Sequence, residues 1–492
     1  MNKEREKMTI PVLCGLLFIA LCVCMMSPLN PLSRNVPGTD SSVFLTIAQG
    51  MLNGKLPYVD FFDHKGPLIY FINAAGLFIG GWTGVWGIEL LFMFVSVFFA
   101  YKTALFFAGT FSAFWGTAFS FAALTPFFQR GNLTEEYVLP FIFISLYIFT
   151  KYYFTQAEPG KIHIVILGAC FGISLLLRPN MFAIWFSFCI VIFVQKLLQK
   201  EYKSIVQYIL FFCSGIIFTL LPVLLYLKIT GALEDCIDQY IVFNRIYMTS
   251  SARASATFFS YVKSFIIAVN RALVPFLIAL AWLLLEKPLT AKYGFYIGYA
   301  ISWVISFFLI GLSRMNYGHY YMVLIPLFVP VLSYCTDKLF KVFYQSKYVC
   351  IKYGLPILFL CAFFNHQVLS AARIVYGNIN SGSRIYFSEL GKFINDNTSP
   401  NDTISVLGNQ CVSYLFTDRD SASKYIYQLP LVLISPKIKM EYVSDIQKMQ
   451  PEFLIIPLDG RYERVFEHIF GTIGAEYYEY FNLDRHVIYK RK

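Results

Sequence analysis

The chain has 492 residues, 57% of them hydrophobic and only 14% charged, more apolar surface than one water-soluble core can bury. Its formal net charge of +11 would suit a nucleic-acid partner, but the basic residues cluster in short loops between apolar runs, where they act as topology signals. Nucleic-acid binding is therefore excluded in favour of an α-helical polytopic membrane protein. The eleven cysteines form no C-x-x-C pair and sit mostly inside apolar runs, where they behave as small apolar residues. Cys236 and Cys411 fall in polar stretches on the same expected side, which leaves a disulfide between them open.

In chain order, the charged start Asn2–Lys7 leads into an apolar run at 9–29. No A-x-A cleavage site follows and the run is long enough to span, so it reads as an uncleaved first helix rather than a signal peptide. Further spans are expected near 84–101, 104–125, 135–152, 162–178, 180–196, 205–228, 262–285, 293–312, 319–336 and 350–370, about eleven in all. Two apolar stretches do not fit a crossing. Residues 67–80 are only about 14 long, too short for a ~30 Å hydrocarbon layer. Residues 43–52 place Val43, Phe44, Ile47, Ala48, Met51 and Leu52 on one helical stripe. Both read as helices lying on the membrane surface within a first outer loop at 30–83.

With that assignment the cations segregate. Lys3, Arg5, Lys7, Lys102, Lys151, Lys161, Lys196, Lys200, Lys203, Lys287, Lys292, Lys338, Lys341, Lys347 and Lys352 share one side, which the positive-inside rule makes cytoplasmic. Arg34, Lys55, Lys65, Arg130, Arg178, Arg245, Arg253 and Arg314 lie on the other side. The outer cations are mostly Arg, whose planar fork suits phosphate, although interfacial arginines also snorkel to lipid headgroups. The N-terminus is then cytoplasmic in a plasma-membrane setting. From about 377 the texture changes to a small extracytoplasmic α/β domain, 377–492. It has a helix at Ser383–Asn397, helical patterns at 440–449 and 461–471, and strand patterns at Thr403–Leu407, Lys424–Gln428, Phe453–Pro457, Tyr477–Phe481 and His486–Tyr489. It carries no glycine-rich phosphate loop and no nucleophile motif.

The chemistry concentrates in the outer loops. Asp40 stands at the start of the 43–52 helix and can act as a general base, although Thr39 or Asp40 before an apolar-periodic run is also an ordinary helix cap. Asp60, Asp63, His64 and Lys65 are four ionisable groups within six residues, read either as a phosphate and sugar site or as a solvated turn. Asp-His adjacency is weak as a metal signature. Glu135 and Glu136 open a span; they suit the helix dipole, and equally a sugar hydroxyl. Arg178-Pro179-Asn180 makes a tight outer turn. Arg314-Met315-Asn316-Tyr317-Gly318-His319-Tyr320-Tyr321 makes another, where the aromatics fit an interfacial belt but Arg314 and His319 do not.

An acid after the first span, the stretch Pro57-Tyr58-Val59-Asp60-Phe61-Phe62-Asp63-His64-Lys65-Gly66-Pro67-Leu68, and the outer Asn316-Tyr317-Gly318-His319-Tyr320-Tyr321 together resemble the polytopic GT-C glycosyltransferases of glycosyltransferase family 39. That family includes protein O-mannosyltransferases and the lipid A aminoarabinose transferase. Residues 30–152 carry most of the likeness, and the order of spans extends it to about 370. The resemblance implies a transmembrane GT-C-like catalytic domain over 1–376, with Asp40 as the catalytic acid. Ser41 stands where many members have a second acid. Lys65-Gly66-Pro67 replaces the family's Lys-Pro-Pro, which makes Lys65 the phosphate contact, and the later acid falls on Glu135 or Glu136. The His64 neighbourhood departs from the metal-bearing relatives, so no cofactor is required while room for a divalent metal remains.

The expected reaction is an inverting transfer from a polyprenyl-phosphate sugar to an acceptor hydroxyl of a cell-envelope glycan, lipid or protein. Asp40 is the base. Lys65, Arg245, Arg253 and Arg314 face the donor phosphate, and Asp63, His64, Glu135, Glu136 and His319 bind sugar or acceptor. Two other classes compete: a transporter or flippase, and a non-catalytic scaffold. Transport sites usually lie near the midplane on broken helices with inverted repeats, whereas these charges gather at one face.

Overall fold

In the computed structural model, residues 9–249, 259, 262–263, 265–267, 273–285, 292–313, 317–344, 346–458, 469–483 and 485–492 are described. They fall into two compact units. The first comprises 1–30, 86–223 and 256–376, and the second 31–85, 224–255 and 377–492.

The first unit is a helical bundle. Its opening helix α1, Ile10–Cys24, is apolar throughout with Pro11 in its first turn, where a missing N–H costs nothing. It stops short of residue 29 because Ser27 and Asn30 turn the chain, Asn30 donating to the Met25 and Ser27 carbonyls at 3.0 and 2.7 Å. The bundle continues with the later part of α3 (Leu68–Ala104), α4 (Thr110–Ala122), α5 (Thr134–Thr155), α6 (Lys161–Leu177), α7 (Ala183–Leu198) and α8 (Tyr202–Ile229). Further helices follow at Leu273–Leu285, Tyr293–Ser313 and Ile325–Phe343, the last entered through a 3₁₀ turn at Gly318–Leu324. Among the described residues, five helices are long and apolar enough to cross a membrane, or up to six if a bent pair at Cys350–Ala362 and Asn365–Asp396 counts as one span. Three shorter apolar helices accompany them. The protein is a multi-pass membrane protein. Much of the expected span 262–285 lies outside the described residues.

Small residues set the closest crossings. Gly168 and Gly172 are one turn apart on α6, and a Cβ on Gly168 would stand 1.9 Å from the Phe212 carbonyl oxygen of α8. Gly215 of α8 meets the Val165 carbonyl in return. Only 6% of α8's most apolar window is buried, so this glycine seam is what seats an otherwise lipid-facing helix. The G-x-x-x-G pattern was readable in the sequence but went unremarked among the apolar runs. At the other end of α7, the buried Lys196 ammonium pairs with Glu158 and Glu201 at 2.6 and 2.7 Å, tying together the loops on either side of α6 and α7.

The second unit starts with α2, Thr39–Leu52. The helix Leu68–Ile79 then forms the first part of α3, which breaks at Gly80-Gly81. Gly81 has φ +60°, a region costly for other residues. The chain folds back there tightly enough that a Cβ on Gly84 would stand 2.1 Å from the Gly76 carbonyl oxygen. A helical run follows as Leu233–Cys236, a π-helical stretch Ile237–Val242, and Phe243–Thr249.

The C-terminal part holds helices Ser383–Asp396 and Pro436–Met449 and a five-stranded sheet in the order β2-β1-β3-β5-β4. The strands are β1 (Thr403–Val406), β2 (Asp420–Ser421), β3 (Phe453–Pro457), β4 (Tyr477–Leu483) and β5 (His486–Arg491). β1 pairs in parallel with β2 and β3, Ile404 opposite Phe453, while β5 runs antiparallel between β3 and β4. The apolar β3 lies at the centre, as an uninterrupted Phe-Leu-Ile-Ile run should.

Three expectations change here. Lys424–Gln428 is not a strand: Ser421 and Ser423 turn their hydroxyls onto nearby backbone groups, and the segment leaves the sheet. The helix expected at 440–449 begins earlier, because Ser435 caps it and Pro436 occupies its first turn. Cys236 and Cys411 are both free thiols, and Cys411 donates to the Ile426 carbonyl at 3.3 Å. Most of the 461–471 pattern lies outside the described residues.

Candidate functional site

Two polar clusters stand out, one in each unit. In the second unit, Gly38 rather than Thr39 or Asp40 is the N-cap of α2, and no side chain caps the helix. Asp40 stands in the first turn of the helix rather than at its cap. Its Oδ2 lies 3.4 Å from the Lys65 ammonium; the Asp40 side chain is 36% exposed and that of Lys65 only 13%. A partly open carboxylate beside a mostly buried cation sets a potential proton acceptor next to a potential anion contact.

The loop that delivers Lys65 is held by side chains from distant segments. Asp63 is buried. Its Oδ1 accepts from the His64 amide at 2.7 Å and the Tyr427 hydroxyl at 2.8 Å, and its Oδ2 accepts from the Tyr70 hydroxyl at 2.8 Å. Burial pushes the Asp63 carboxyl up from its ordinary range, while Lys65 and these three donors pull it back. The Asp63 amide donates to Gln239 at 3.1 Å, and Gln239 in turn donates to the Tyr58 carbonyl at 2.6 Å. Asn244 donates to the His64 carbonyl, and the Tyr58 hydroxyl to the Lys65 carbonyl, both at 2.7 Å. The Phe62 amide reaches the Lys424 carbonyl at 2.8 Å. His64 stacks on Tyr247 with its centroid 5.3 Å away, and its Nδ1 lies 3.3 Å from the Tyr427 hydroxyl. Arg245 is exposed on the Phe243–Thr249 helix. Arg253 and Arg314 lie outside the described residues.

In the first unit, Glu135 and Glu136 open α5 and face different partners. The Glu135 carboxylate lies 3.1 Å from Arg178 Nε and 3.7 Å from His319 Nε2, and accepts from the Thr134 hydroxyl at 2.8 Å. Arg178 sits over the Tyr320 ring at 4.9 Å. His319 Nδ1 is 2.5 Å from the Gln129 side-chain oxygen. A small recess, with room for about one water, is lined by Glu135, Arg178, Asn180 and Tyr320 on its polar side. Glu136, by contrast, is buried beside Glu89, whose Oε1 accepts from the Asn132 amide at 2.8 Å. The turn before α5 is left-handed at four successive residues, with φ of +43°, +76°, +69° and +51° at Gln129, Arg130, Gly131 and Asn132. That turn brings Gln129 to His319 and the Asn132 amide to Glu89. Among the described residues, no three His, Cys, Asp or Glu side chains converge as metal ligands. In the Asp63–His64 region both Asp63 oxygens are already occupied by donors.

Sequence reasoning singled out Asp40, Asp63, His64, Lys65, Glu135, Glu136 and His319. It missed Tyr70, Gln239, Asn244 and Tyr427, which reach the loop from far along the chain, and gave Arg178 no role beyond a turn.

This architecture matches solved structures over nearly the whole chain. ArnT from Cupriavidus metallidurans bound to undecaprenyl phosphate superposes with a TM-score of 0.61 at 13% identity, covering 96% of this chain and 97% of that one. An Archaeoglobus fulgidus oligosaccharyltransferase, tethered with an acceptor peptide containing the NVT sequon, gives 0.53 at 12% identity over 98% of this chain and 74% of that one. AglB from Archaeoglobus fulgidus, in complex with an inhibitory peptide and a dolichol-phosphate, gives 0.51 at 12% identity, with 94% and 71% covered. The fold is that of the polytopic GT-C glycosyltransferases, with a small C-terminal α/β region. Residues 1–347 match the family model described as the putative competence-induced protein Ccs4 N-terminal domain, and the chain belongs to that family. No curated protein matches it.

Proposed function

We propose that this protein is an inverting glycosyltransferase that moves a sugar from a polyprenyl-phosphate donor to an acceptor hydroxyl on the extracytoplasmic face of the plasma membrane. The N-terminus is cytoplasmic. Residues 1–376 are the catalytic membrane domain, and 377–492 form an extracytoplasmic α/β domain. The observation that carries the reading is the Asp40–Lys65 pair, 3.4 Å apart on the first loop. The undecaprenyl phosphate and dolichol-phosphate bound to structures of this fold support a lipid monophosphate donor. The acceptor peptide on the Archaeoglobus protein supports an acceptor from the cell envelope, whether glycan, lipid or protein.

In this reaction Asp40 takes the proton of the acceptor hydroxyl as its oxygen attacks the anomeric carbon. The bond from that carbon to the phosphate oxygen breaks, and the lipid phosphate leaves with the electron pair. Lys65 stabilises the departing phosphate, assisted by Arg245, Arg253 or Arg314. Before donor binds, the Lys65 ammonium quiets the Asp40 carboxylate. A donor phosphate competes for that ammonium, and so frees the base only when there is a sugar to transfer. Glu135, with Arg178 and His319 around it, and His64 contact sugar or acceptor, while Asp63 and Glu136 act from buried positions. Cationic side chains can stabilise a monophosphate leaving group without a metal, so no cofactor is required, while room for a divalent metal remains.

The test is to incubate purified protein in lipid with a panel of radiolabelled polyprenyl-phosphate sugars, comparing wild type with Asp40→Asn. Sugar transfer or release from one donor by the wild type alone is the expected result. Full activity in Asp40→Asn would remove the base assignment. Binding of a donor without turnover by either protein would move the chain to a transport or scaffold role.

A further inference from the structure

We infer that Tyr427, in the C-terminal region, is a positioning residue for the Asp40–Lys65 pair, so that this region is a structural member of the first-loop site rather than a detachable lid or docking module. The inference deepens the transferase reading and rests on it for its consequence in catalysis, but not for its geometry.

Lys65 enters the pair from a loop with no secondary structure of its own beyond a bridge between Pro57 and Phe61. Such a loop holds one shape only if its polar groups find partners elsewhere. The partners here come from Tyr70, Gln239, Asn244 and the segment 424–427. Tyr427 touches both residues preceding Lys65, donating to Asp63 Oδ1 at 2.8 Å with His64 Nδ1 at 3.3 Å. Its ring is buried, and the Lys424 carbonyl three residues earlier takes the Phe62 amide. The two contacts bracket Phe62–His64, so removing the hydroxyl frees one end of the clamp.

The segment that carries Tyr427 also explains why Lys424–Gln428 abandons the sheet despite its strand-like sequence. In a strand, Tyr425 and Tyr427 would share one face and their amides would join a ladder. Off the sheet, Tyr425 turns to Glu441 while Tyr427 turns to Asp63. The departure from regular structure serves the contact with the loop.

The experiment compares hydrogen exchange of peptides covering 58–66 in full-length wild type, Tyr427→Phe and Tyr480→Phe in lipid nanodiscs. Tyr480 also lies in the C-terminal part and donates to Asn397 at 3.1 Å, so its loss controls for general loosening of that part. Tyr427→Phe should speed exchange in 58–66 several-fold while strands β1, β3 and β5 stay protected, and Tyr480→Phe should leave the loop unchanged. Where a donor is turned over, Tyr427→Phe should lower kcat about tenfold, the effect of one hydrogen bond to a charged group, with little change in donor KM. The same substitution on an Asp63→Asn background should add little. Unchanged loop exchange in Tyr427→Phe, or loosening shared equally by all the strands, overturns the inference. If wild type turns over no donor, the transferase reading fails while the exchange result still decides the positioning role.

Discussion

His486 offers a measurement whose size follows from the structure. It is wholly buried on β5, with Nδ1 2.8 Å from the Tyr386 hydroxyl and Nε2 2.9 Å from the Gln410 side-chain oxygen. Gln410 can only accept there, so Nε2 carries the proton, Nδ1 accepts from Tyr386, and the neutral ring is fully satisfied. Burial, with Arg485 alongside, lowers its pKa from the ordinary 6.5 to about 4. A lowered histidine pKa means that the unfolded chain binds the proton more readily than the folded one. The stability this ring contributes is therefore complete above pH 6.5 and is lost as pH falls toward 4. Linkage between those two values removes about 2 kcal/mol on going from about pH 7.5 to about pH 5, and about 3 kcal/mol at completion. Pulse proteolysis of the full-length protein across a urea series, read on C-terminal fragments, measures this at both pH values. The His486→Gln variant, which cannot titrate, should be less stable than wild type at about pH 7.5 and should recover about 2 kcal/mol relative to it at about pH 5. Parallel loss in both proteins would show that another group governs acid sensitivity and that the ring is not held neutral.

Three further outcomes are expected. Gly168→Leu should drive α6 and α8 apart, lowering the thermal midpoint in detergent and raising proteolysis at the ends of α8, at a penalty of about 1–3 kcal/mol; an unchanged midpoint would mean that the glycine seam does not seat α8. Lys196→Met should cost under about 1 kcal/mol and Lys196→Ala about 2 kcal/mol, because the ammonium is buried while Glu158 and Glu201 remain in water; equal losses in a denaturation series would assign the effect to charge rather than packing. Arg178→Met should weaken sugar or acceptor handling through Glu135, and a double-mutant cycle with Glu135→Gln should show coupling of about 1–3 kcal/mol in kcat/KM. Additive effects there would separate the two residues.

How much the sequence disclosed depends on how local the cause was. Apolar runs announce helices within their own length, so α5, α8 and Tyr293–Ser313 appear close to their expected bounds. β3 coincides with its pattern because a buried central strand is apolar on both faces. Asp40 and Lys65 were legible as candidates because each stands in a charged stretch between apolar ones. Their pairing was not, since two side chains 25 positions apart meet only once the loop is folded. Asp63 looked like one more solvated acid, and nothing nearby reveals that three donors enclose it. The choice between Glu135 and Glu136 was likewise hidden: adjacent residues on a helix point about 100° apart, and which one meets Arg178 depends on how the helix is turned in the bundle.

The hydrogen bond from Tyr427 to Asp63 joins residues separated by 364 positions in the chain. At a synthesis rate of about 5–20 residues per second, the first loop is complete roughly 20–70 s before its partner exists. During that interval the membrane helices can insert while the loop before Lys65 lacks its bond to Tyr427. On the transferase reading proposed above, the first loop would therefore wait, with its clamp incomplete, until residue 427 has been made and folded against it.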